Sequence, residues 1–152
     1  MSGWQKGRAA IDDLLRQRSL ELLTAATRSA APSLARARRL LASAGVLLAE
    51  DPDSAYVLAY DAARQAGTAV LAAQGLRATA RGGHLAVEQA LVAQFTPGFA
   101  DFHVLRRRRN ELEYPNPARP DSAEPDEAAE AIQLATGIVE QAAALLPQLH
   151  PW

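Results

Sequence analysis

Apolar residues recur three and four positions apart along most of the chain, and alternating strand patterns between turn residues are absent. Ile11, Leu14, Leu15, Arg18 and Leu22 share one such stripe and predict a first helix over residues 8–27, broken by Pro32. Leu34, Ala37, Leu40, Leu41, Ala44, Leu47 and Leu48 predict a second over residues 33–50, with Arg36, Arg38 and Arg39 mostly off the stripe. Asp51-Pro52-Asp53 reads as a helix start, an N-cap acid followed by proline at the first helical position. This third helix runs to Gln74 and is closed by Gly75. Residues 76–83, LRATARGG, read as a loop. Further helices are predicted over residues 84–95, 99–113 and 125–146. Thr96-Pro97-Gly98 and a polar, proline-rich stretch over residues 115–125 separate them. Short connections favour an all-α fold, an antiparallel up-and-down bundle of five to six helices. The 152 residues suit one domain, with an N-terminal helix in residues 1–30 and a core bundle over 33–149.

Two helices depart from simple amphipathicity. The third is apolar nearly all round, which places it at the centre of the fold or at an interface. Its polar residues, Asp61, Arg64, Gln65 and Thr68, fall on one narrow line. That line is either the solvent side or the wall of a cleft, in which an Asp61–Arg64 pair would hold the arginine in place. In the fifth helix, Phe102, Leu105 and Leu112 form the apolar stripe, and the same spacing puts Arg109 on it. An inward arginine needs a partner or a polar cavity, because an unpaired buried charge is costly. Asn110 is adjacent, Tyr114 follows four residues later, and Arg106, Asn110 and Glu113 make a second polar line. The competing reading is a solvated basic face from which Arg109 snorkels.

Charge sharpens this picture. Residues 1–119 hold 16 bases and 11 acids, a net +5, whereas residues 120–152 hold six acids and no base. The acidic final helix would shield a basic cleft or meet a basic partner. The absence of cysteine excludes disulfides, thiol catalysis, zinc fingers and iron–sulfur clusters. The three histidines, His84, His103 and His150, are far apart in sequence, so no metal site is expected. No run of about 18 apolar residues and no signal-peptide pattern occurs, so a cytoplasmic protein without a membrane partner is expected. Glycine-rich nucleotide loops are also missing, and no cofactor is expected. No base-reading motif points to sequence-specific DNA binding.

The segment from Arg106 to Pro115, RRRRNELEYP, resembles the signature of the HEPN superfamily of small helical proteins, an arginine and a polar residue followed by spacers and a histidine. Arg109 and Asn110 match the first two, and Tyr114 stands at the histidine position. The apolar third helix and the following Gly82-Gly83-His84 are similar in context, over roughly residues 33–146. The resemblance implies a bundle that homodimerises with both motif helices facing one cleft. It implies binding of RNA or nucleotide, metal-independent ribonuclease activity in some members, and a cognate nucleotidyltransferase or antitoxin as partner in others.

Metal-free RNA cleavage needs charge neutralisation at phosphorus and a proton acceptor for the 2′-hydroxyl. Arg109 suits the first task and Asn110 the orientation of phosphate or ribose. An ordinary tyrosine titrates near pH 10 against about 6.5 for histidine, so the exchange at Tyr114 weakens proton transfer. His84, after Gly82-Gly83 and flanked by Arg77 and Arg81, is a second place for a phosphate-binding or proton-carrying group. Three functions follow as expectations. A weakly catalytic or non-catalytic phosphate-binding HEPN protein stands first, an active HEPN ribonuclease or toxin second, and a helical protein-interaction module third.

Overall fold

The computed structural model describes residues 4–25 and 28–152. Six α-helices occur among them: α1 (Arg8–Arg16), α2 (Ala31–Leu47), α3 (Pro52–Ala73), α4 (Gly83–Phe95), α5 (Phe102–Glu113) and α6 (Pro125–Leu145). The chain is an all-α helical bundle, as its periodicity predicts.

Helix α3 is its axis. Ala55, Ala59, Ala62, Ala63, Ala66 and Ala69 are all fully buried, and these small side chains let neighbouring helices approach from several directions. α2 and α6 pack on α3, joined by α4 and α5. Asp51 starts α3 as expected, its carboxylate accepting from Ser54 N at 3.1 Å. At the other end Gly75 adopts φ 72°, a conformation that suits glycine. Gly67 marks the closest approach of α4, where an added Cβ would lie 2.5 Å from Leu91 Cδ1 and 2.9 Å from Val87 Cγ1. Glu124 and Glu127 form a reciprocal capping box at the start of α6.

The strand expectation is corrected. Leu20–Leu22 (β1) and Leu76–Ala78 (β2) form a two-stranded antiparallel sheet, pairing Leu20 with Ala78 and Leu22 with Leu76. Residues 76–83 are therefore part strand and part turn. The first helix is correspondingly shorter than expected. It stops at Arg16, and Arg18 turns the chain in the left-handed region at φ 59° instead of continuing the stripe. Thr79 secures that turn, with N–H to Ser19 O at 3.0 Å and Oγ1–H to Arg18 O at 2.7 Å. Thr27, the expected end of the first helix, lies outside the described residues. Pro32 opens α2 from within its first turn, where its missing N–H costs nothing. The fifth helix begins at Phe102, after a turn containing buried Phe99. Among the described residues no helix is long and apolar enough to cross a membrane.

Candidate anion site

α5 lies against α3 through Phe102 and Leu105, both fully buried. One turn further on, the same face brings Arg109 to α3, so the sequence expectation of an inward arginine holds. Its guanidinium carbon stands 5.7 Å from the centroid of the Tyr60 ring. Arg109 Nη1 donates to Asn110 Oδ1 at 3.2 Å, while its Nε is buried with no hydrogen-bond partner.

Tyr60 is the centre of this cluster. It is fully buried on α3, with Phe102 edge-on at 5.8 Å and the His84 ring at 5.6 Å. Its hydroxyl has no hydrogen-bond partner. Burial pushes its pKa up to about 12, against the opposing pull of Arg64 and Arg109, so the phenol is a neutral donor. Arg64, one turn along α3, pairs through its buried Nε with Asp61 Oδ1 at 3.7 Å, as its i, i+3 spacing suggests, a separation too long for a hydrogen bond. Tyr60 Oη, Arg64 Nε and Arg109 Nε are the three buried side-chain polar atoms without a hydrogen-bond partner among the described residues. All three belong to one cluster.

His84 sits in the first turn of α4 and is half-buried. Desolvation lowers its pKa below the usual 6.5, and the positive charges of Arg64 and Arg109 lower it further, against the pull of Asp61. The imidazole is therefore neutral at neutral pH. Arg64 and His84 line a depression of about 280 Å³, together with Thr68, Thr79 and Gly83. The polar line of α3 is thus the wall of a cleft at Arg64 and Thr68.

The four-arginine block is not a uniform surface. Arg106 pairs with Glu88, a carboxylate 7% exposed on α4 that His103 Nδ1 also approaches at 3.2 Å. Arg108 is clamped by Asp121, by Glu127 at 2.6 Å and by Glu111 at 3.0 Å. These hydrogen bonds, that donated to Asp121 foremost, hold its guanidinium still more firmly protonated. Arg107 is exposed. The acidic C-terminal part therefore shields one arginine and leaves Arg109 open.

The remaining sequence candidates lie apart. Tyr114 caps α5, its N–H bonded to Asn110 O at 2.9 Å, and its side chain is 75% exposed rather than turned onto the cluster. Glu113 lines a groove with Asp53, Val57 and Leu112. Arg81 lines another with Leu15, Leu20 and Leu22 beside the sheet. No group of three His, Cys, Asp or Glu side chains among the described residues is placed to hold a metal ion.

Sequence reasoning missed Tyr60 and Glu88. Each stands in a largely apolar helix, where an aromatic reads as core and a single acid as surface. The only signal was spacing: Tyr60 lies four residues before Arg64, on the polar line.

No protein-family model matches this chain, and no curated protein or solved structure matches it. The fold and the site by themselves define a small all-α bundle with a buried tyrosine–arginine cluster.

Proposed function

We propose that this protein binds the phosphate of RNA or a nucleotide through Arg109 and the Tyr60 cluster, as a HEPN-like homodimer with weak or no catalytic activity. The observation that carries this reading is the pair of buried donors without acceptors, Tyr60 Oη and Arg109 Nε, beside Arg64 Nε, which the Asp61 carboxylate approaches only to 3.7 Å. Leaving such groups unpaired costs about 1–3 kcal/mol each, and a phosphate supplies acceptors only. A second copy would add its own Arg109 to a shared cleft. The exposure of Tyr114 supports a binding role over efficient RNA cleavage, since the phenol at the position of the HEPN motif's histidine is not turned onto the cluster. A nucleotidyltransferase or antitoxin partner belongs to the same reading.

The test is fluorescence anisotropy with a short single-stranded RNA, on protein whose mass by light scattering should be twice the chain's 16.2 kDa. Arg109→Ala should weaken binding by about tenfold or more, the value of a charge-assisted hydrogen bond. It should also flatten the salt dependence. Arg107→Ala should change affinity less. Equal losses would make the arginine block a diffuse charged face, and a monomer would remove the shared cleft.

A further inference from the structure

A second cavity lies where α5 and α6 meet over α3. Its volume of about 380 Å³ is within the range of about 300–1,000 Å³ for pockets that enclose small molecules. It shares no lining residue with the depression at Arg64 and His84.

Tyr56 of α3 lines it and is only 4% exposed. Its hydroxyl makes no hydrogen bond to any described residue and, unlike that of Tyr60, is not sealed from solvent. The charges that act on it are those of Glu127, Arg108, Glu130 and Glu111, and all four residues line the same cavity. The hydroxyl therefore faces the cavity, as a polar group with no partner in the protein. Burial, with Glu127 next, pushes its pKa up to about 12, so it is a neutral phenol with lone pairs to offer. Val104 of α5 and Leu134 of α6 add apolar wall, and Val104 is 53% exposed.

The charges select the sign of a ligand. Arg108 is already held by Asp121, Glu127 and Glu111. His103 lines the cavity with Nδ1 turned to Glu88, whose charge Arg106 matches. Glu130 and Arg107 line it in no ion pair among the described residues. Counting Asp121 behind Arg108, four carboxylates stand against two guanidiniums. An anion would enter against this balance, whereas a cation relieves it and also meets the electron-rich face of a tyrosine.

We propose that this cavity binds a small aliphatic amine as its cation, the ammonium seated between Glu130 and the Tyr56 hydroxyl and the alkyl chain against Val104 and Leu134. The site is separate from the phosphate cluster and does not rest on that reading.

The experiment is a methyl NMR titration of the ¹³C-labelled full chain with 1,4-diaminobutane and, as a neutral probe of equal length, 1,4-butanediol. The diamine should shift the Val104 and Leu134 methyl signals with saturation, and the diol should not. Added salt should weaken the binding. Glu130→Gln, at an exposed position, should lower affinity about two- to fivefold, the value of an exposed ion pair. Tyr56→Phe keeps the ring in the core and should lower it about two- to tenfold, the value of one hydrogen bond. Equal shifts with the diol overturn the proposal, because the cavity would then be an apolar groove. No saturable shift with the diamine overturns it, as does an unchanged affinity in either variant.

Discussion

Tyr60 holds a fully buried, unpartnered hydroxyl, one of three buried side-chain polar atoms without a hydrogen bond among the described residues. Such a group lowers the stability of the ligand-free state by about 1–3 kcal/mol relative to an apolar isostere. Tyr60→Phe keeps the ring contacts with Phe102 and His84 and removes only the oxygen. The variant should therefore melt higher than the parent, by roughly 2–4 °C for each kcal/mol recovered, while binding RNA more weakly. Calorimetric melting and anisotropy read the two effects on one preparation. A lower melting temperature with unchanged binding would make the hydroxyl a structural group.

At the scale of elements, the glycines of the helices separate packing from propensity. Gly67 faces α4 at the distances given above, and Gly67→Ala must push Leu91 and Val87 apart, which should cost about 1–3 kcal/mol. Gly137 of α6 has nothing near its absent Cβ, and Gly137→Ala should instead stabilise by up to about 1 kcal/mol through helix propensity. Urea unfolding of both variants checks the contrast, and a loss at both positions would contradict the α3–α4 approach. The same elements show what the sequence could reveal. Helices with a regular apolar stripe and a proline or acid at the start, such as α3 and α6, were legible to within a few residues. The strands were not. Leu20–Leu22 is three residues without a β-branched side chain, and its pairing with Leu76–Ala78 is fixed by contacts about 56 residues apart. The apolar stripe through Leu22 outlasts α1, because a backbone turn at Arg18, not hydrophobicity, ends the helix. Of the site, Arg109 and the Asp61–Arg64 pair were legible from spacing. Tyr60 and Glu88 were not, since their meaning comes from which helices meet around them.

For the whole molecule, two arginines of the basic block are neutralised by internal pairing, one of them by the acidic C-terminal part. Asp121 and Glu127 hold Arg108, and Glu88 holds Arg106. What remains is local and directed: Arg109 and Arg64, each with a buried Nε–H, around a neutral tyrosine and a histidine held neutral by burial. A diffuse basic surface would bind polyanions through exposed arginines such as Arg107. On the proposed reading, this arrangement would engage a phosphate through donors that the fold has withheld from water. The two pictures differ most directly in the arginine Nε–H signals of ¹⁵N-labelled protein titrated with adenosine 5′-monophosphate and with RNA. The account predicts that the Arg64 and Arg109 signals shift with saturation while Arg107 stays fixed. Movement of Arg107 with Arg64 and Arg109 unchanged would contradict it.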